Sequence, residues 1–144
     1  MLKTLVAFIF AATLAAGVGY ANQSTGVKVL PVTRTRANSG QQMYTSYCAS
    51  CHGVDGRGNG PAASSLKQRP ADLSVLARNN GGVFPSKHVT AVLQFGSRVS
   101  AHGDVSMPVW GPVLGKLDGG APESEAGALR ISNIGRYIET LQVK

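Results

Sequence analysis

Cys48, Cys51 and His52 place two thiols and an imidazole side by side, and the chain has no other cysteine. They stand in "YCASCHGVDGRGNGP", residues 47–61. Three chemistries use such a group. A closed structural zinc site takes four ligands, often from two cysteine pairs. Here there is one pair, and neither His88 nor His102 stands at a zinc-ligand spacing from it. A thioredoxin-like dithiol sits near a βαβ pattern, whereas this chain reads as helices and loops. The third chemistry is covalent haem attachment, for which C-x-x-C-H is the signature.

Spacing gives the physical reason. Cysteines three positions apart lie on one side of a helical turn. Their sulfurs can reach two vinyl groups on adjacent edges of one porphyrin, and the next residue turns its imidazole towards the iron. A second axial ligand is then sought downstream. Met107 stands in an irregular stretch with Pro108 behind it. A thioether opposite histidine is the ligand pair of electron-transfer cytochromes c and raises their potential. Proline limits the freedom of the presenting backbone. Met43 is a poor rival because it lies beside the cysteines on the same helix, and Met1 belongs to the leader. His102, a little before Met107, is the serious rival and would give two-histidine ligation. Trp110 and Phe95 are large enough to pack on the ring, and Arg57 and Arg69 offer guanidinium groups to haem propionates.

These residues need elements to position them. Residues 1–21 carry Lys3, an apolar run and small residues at 19 and 21, the order of a cleaved secretory signal peptide. A membrane anchor ranks below it, since the run is interrupted and short for a span of about 20 residues. Residues 22–38 read as an extended arm, a linker or a clasp lying on the domain, with Pro31 arguing against a central strand. Residues 39–144 form the remaining domain. A first helix begins near Ser39, runs into the cysteine pair and breaks in the glycine-rich stretch after His52. A small helix starts at Ser74 and stops at Asn80 and Gly81. Another begins with Ser86 as N-cap, turns Val89, Val92 and Leu93 inward and ends at Gly96. Residues 97–121 show no period and read as a long loop, of the kind that carries function. The last helix starts near Ser124, with Ile131, Ile134, Ile138 and Leu141 as its buried stripe and Tyr137 at the edge.

Composition limits the partners. The net charge is +7, with lysines and arginines scattered rather than bunched. No interleaving of aromatic and basic residues points to nucleic acid. A basic surplus favours acidic protein partners or anionic surfaces. With 18 glycines among 144 residues the core is modest, and a bound cofactor would complete it.

From about Ser39 to Leu141 the chain resembles the class I cytochrome c family. Gly40, Tyr44 and Cys48 match its glycine–aromatic–cysteine spacing, and residues 48–52 match its haem motif. "GNGP" at 58–61 and "MPVWG" at 107–111 resemble its glycine-proline and methionine-ligand loops, and Ile134 with Tyr137 the pair on its final helix. The resemblance implies a small all-α fold around one covalently attached haem c, with first and last helices crossed near Gly40. It also implies that the Pro61 carbonyl accepts the Nδ1 proton of His52. The cofactor-binding residues are then Cys48, Cys51, His52 and Met107, with His52 and Met107 on the iron. The implied task is one-electron transport between redox protein donors and acceptors in the periplasm or an equivalent exported space, rather than catalysis. A haem-bearing subunit of a dehydrogenase or oxidase complex, associated peripherally with a membrane complex, is the alternative. A haem peroxidase or a gas sensor ranks lower, because both need an open iron position that Met107 closes.

Overall fold

A computed structural model describes residues 34–96, 107–117, 119–122 and 124–143. All of them belong to one compact unit, Val32–Lys144; the second unit is Met1–Pro31. The leader at 1–21, most of the arm and His102 lie outside the described residues. The elements described are helical: six α-helices and two short 3-10 turns. This is the small all-α architecture expected of the sequence.

Helix α1 spans Gly40–Tyr47. Ser39 starts it, its side-chain oxygen accepting a hydrogen bond from the backbone N–H of Gln42 at 3.2 Å. The helix does not run smoothly through the cysteines. Cys48 takes φ −111°, and a single turn, α2 (Ala49–His52), follows at once. Gly53, at φ +79°, ends it in a backbone region open to glycine. A 3-10 turn at Leu73–Val75, opened by Asp72, leads into α3, Leu76–Asn79.

Helix α4 spans Ser86–Phe95 and buries Val89 and Leu93. Ser86 is its first helical residue rather than its N-cap; Pro85 holds that position and makes no side-chain cap bond. Gly96 closes the helix as expected, at φ +81°. The stretch read as one long loop contains a helix, α5, at Trp110–Lys116. Gly111, Pro112 and Gly115 hid it from a propensity argument. Pro112 costs little there, because backbone N–H groups in a first turn have no intrahelical acceptor.

Helix α6, Glu125–Thr140, is the spine. Ser124 caps it by accepting from Gly127 N–H at 3.2 Å. Its buried stripe of Ile131, Ile134 and Ile138 packs against α1, α4 and α5, while Leu141, expected in that stripe, is the C-cap and only half-buried. Full burial of each such side chain contributes about 1.5–3 kcal/mol. Close crossings depend on glycine. A Cβ on Gly40 would strike the Asn133 carbonyl and come within 3.0 Å of Tyr137 Cβ. Where α5 meets α6, a Cβ on Gly127 would lie 2.9 Å from the Gly115 Cα. Tyr44 and Tyr137 seal the α1–α6 crossing with ring centroids 5.2 Å apart.

Candidate haem site

Beside this core lies a cavity of about 500 Å³. Cys48, Cys51 and His52 line one part of it, and Met107, Pro108 and Trp110 another. Three of the six α-helices also contribute apolar floor: Val89, Val92 and Leu93 from α4, Leu76 from α3 and Ile138 from α6.

Backbone hydrogen bonds set the cysteine side. The Cys51 and His52 N–H groups both donate to the Cys48 carbonyl, at 3.1 and 2.9 Å. That single turn brings two sulfurs and one imidazole to the same cavity. The glycine-proline loop then folds back beneath it. Gly60 N–H donates to the Cys51 carbonyl at 3.1 Å and Ala62 N–H to the Ser50 carbonyl at 2.9 Å. These bonds satisfy carbonyls that a helix end leaves without partners. A Cβ on Gly60 would lie 2.5 Å from the Ala49 carbonyl oxygen, so glycine is what permits the approach.

His52 is oriented by a partner other than the expected one. Its Nδ1 lies 3.0 Å from the carbonyl oxygen of Ala71, not from that of Pro61. Pro61 is exposed, whereas Pro70, Ala71 and Leu73 line the cavity. A carbonyl only accepts, so Nδ1 carries the proton and Nε2 keeps its lone pair. Burial lowers the His52 pKa and so favours the neutral ring that ligates metals; the bond to Ala71 acts in the opposite direction but is the smaller influence. Burial, with Cys51 adding to it, pushes the Cys48 thiol up to about 12. A reactive redox dithiol requires the opposite, a lowered thiol pKa. No group of three or more His, Cys, Asp or Glu residues among the described residues is placed to hold a metal ion by itself.

Met107 is half-buried and packs on the core cluster. Trp110 lines the cavity and stacks on Tyr47, with centroids 5.8 Å apart and planes at 29°. Phe95 does not share that place; it is 66% exposed at the end of α4. Arg69 lines the cavity, whereas Arg57 is turned to Asp55, 3.4 Å away on the surface. Tyr44 is structural, its hydroxyl donating to the Gly53 carbonyl at 2.8 Å. Sequence reasoning missed Ala71, whose contribution is a carbonyl and leaves no residue-type signal. It also missed Tyr47 and His88 as lining residues.

An apolar cavity of this volume, with two cysteines, a histidine with Nε2 unprotonated and a thioether, suits a flat iron macrocycle. A family model described as cytochrome c oxidase, cbb3-type, subunit III, matches residues 35–118. The chain belongs to this family of class I c-type cytochrome domains. No curated protein matches it. As a cytochrome c domain, it binds haem c covalently and works by haem-based electron transfer. The match begins at residue 35, within the segment that the sequence reading placed in the arm. Thr35 and Ala37 of that segment accept hydrogen bonds from Arg130 and Asn133 of α6. The cytochrome domain has no helix among its described residues long and apolar enough to cross a membrane.

Proposed function

We propose that the protein is a monohaem cytochrome in which Cys48 and Cys51 hold the haem and His52 and Met107 are the axial ligands. It carries single electrons in an extracytoplasmic electron-transport chain. The observation behind this reading is the meeting of all four side chains at one cavity, although Met107 stands far from the haem motif in sequence. Bound there, haem supplies a one-electron Fe(III)/Fe(II) couple.

The chain's own residues do the rest. Ala71 holds the His52 ring in one tautomer. Val89, Leu93 and Ile138 keep water from that side of the site, and a low local dielectric together with a thioether ligand favours the reduced state. Arg69 at the cavity suits a carboxylate. Were His52 and Met107 both to hold the iron, a substrate would have to displace Met107, whereas an electron would need no vacant position. The signal-like residues 1–21 support export, with a mature chain starting near Asn22. The basic balance supports an acidic partner met through a transient interface, so association weakens as salt rises.

Optical spectra of the oxidised and reduced protein, with haem staining after denaturation, test this reading. Retained stain and a red charge-transfer band of methionine–iron bonding are expected. Loss of stain on denaturation rules out covalent attachment. A missing band removes Met107, and a spectral change in His102→Ala would then name His102 instead.

The description of the matching family as an oxidase subunit favours a second reading, a haem subunit of a larger complex. Purification of the tagged protein from gently solubilised membranes separates the two. A free carrier elutes at the size of a small domain, and a subunit elutes with its complex.

A further inference from the structure

Arg130 lies inside α6 and is 2% exposed. A guanidinium is costly to bury and is retained inside a protein where its donors are engaged. Its Nη1 donates to the Thr35 carbonyl at 2.9 Å and lies 3.3 Å from Thr35 Oγ1 and 3.7 Å from Met43 Sδ. Thr35 is itself 5% exposed. Its hydroxyl shares a hydrogen bond of 2.8 Å with the hydroxyl of Tyr47. Tyr47 in turn stacks on Trp110, and both rings line the cavity. Contacts therefore run without a gap from α6, through a residue ahead of α1, to the wall that carries Met107. A second bond, from Asn133 Nδ2 to the Ala37 carbonyl at 2.8 Å, pins the same segment to α6.

We propose that Thr35, fixed by Arg130, is a positioning residue for the sixth iron ligand. Its hydroxyl sets the Tyr47 ring, Trp110 stacks on that ring, and the start of α5 is thereby held with Met107 at the cavity. This rests on the reading of Met107 as a ligand. Two features make the strut matter. Helix α5 begins with no side-chain cap, so ring packing is the anchor at its first residue. The thioether is a neutral ligand on a flexible side chain, so its bond to iron depends on how firmly the backbone behind it is held. Residues 34–37 are then part of the ligand-holding structure rather than a spacer.

The test uses full-length holoprotein carrying Thr35→Val, which keeps shape and removes the hydroxyl, or Thr35→Ser, which restores it. Imidazole is the probe, as a competitor for the methionine position. Thr35→Val is expected to bind imidazole about tenfold more tightly, the worth of one net hydrogen bond. It should also lose the methionine–iron band at lower denaturant than wild type, ahead of its helical signal. Thr35→Ser should behave as wild type. Asn80→Ala is the control, because Asn80 donates to the Val83 carbonyl in an exposed turn, away from both the strut and the cavity. It should shift global unfolding and leave imidazole affinity unchanged. Thr35→Val matching wild type, or moving imidazole affinity no more than Asn80→Ala does, overturns the proposal. A wild type without the band overturns the Met107 assignment and this proposal together; a band that Thr35→Val leaves unmoved overturns this proposal alone.

Discussion

The two sides of the cavity are built by different means. On the His52 side the geometry is made of backbone and, apart from the Ala71 carbonyl on the imidazole, is local. One turn of α2, a glycine at positive φ and a returning loop fix three functional side chains within a few residues. On the Met107 side it is made of side-chain contacts between distant segments, with Trp110 on Tyr47 and glycine-mediated crossings of α5 with its neighbours. Backbone ladders form with little loop-closure cost, while contacts between distant segments carry it in full. The His52 side should therefore outlast the Met107 side under any stress.

The largest effect tests that claim from the strong side. Cys48→Ala with Cys51→Ala should leave little folded protein, since the cofactor completes the core around Val89, Leu93 and Ile138. Circular dichroism and haem content of the exported fraction check it. Met107→Ala should do much less to the fold, costing about 2 kcal/mol, the low end for a large-to-small change, because Met107 is only half-buried. Haem should stay attached, carbon monoxide should bind the ferrous protein rapidly, and the potential should fall. Loss of attached haem in Met107→Ala would erase the difference between the two sides.

A matched pair of glycines sharpens the comparison. Gly60→Ala pushes a methyl into the α2 carbonyls, and Gly111→Ala pushes one to within 2.5 Å of the Gln94 carbonyl oxygen on α4. Each overpacks backbone and should cost about 1–3 kcal/mol. Their signatures should differ. Gly60→Ala should lower the yield of haem-loaded protein. Gly111→Ala should leave the yield unchanged and lose the methionine–iron band early in a denaturant titration. Identical signatures would mean that the cavity yields as one unit.

The same contrast explains what could be read from sequence. The C-x-x-C-H turn and the α6 stripe were legible because each is a local pattern of residue types at a helical spacing. The place of Met107 at the cavity was legible by chemistry alone, as a soft donor beside a proline. Helix α5 was not, because Gly111 and Gly115 look like loop residues and serve instead to let backbones touch. Ala71 replaced Pro61 because any residue can offer a carbonyl, and only the path of the chain decides which one arrives. Arg130 was passed over because a charged residue one position from the Ile131 stripe reads as exposed, yet Thr35 supplies acceptors inside.

The smallest effect concerns the turn that delivers Ala71 to His52. Asp72 opens the Leu73–Val75 turn, its Oδ1 accepting from Ser74 Oγ at 2.6 Å and from Ser74 N–H at 2.9 Å. The Ser74 hydroxyl bond is the main reason the Asp72 pKa lies below its ordinary value. A folded-state pKa depressed below the unfolded one adds stability that is present above the unfolded pKa. That increment is lost as pH falls through the folded value. Asp72→Asn should therefore destabilise the neutral protein by about 1 kcal/mol or less, the scale of a single cap. It should also flatten the acid limb of the stability curve, because the variant has no proton to gain there. Denaturant titrations of both proteins at neutral pH and at about pH 3, below the ordinary aspartate value, check this. The gap between them should close at acid pH; a gap of constant size would assign the Asp72 contribution to packing rather than charge.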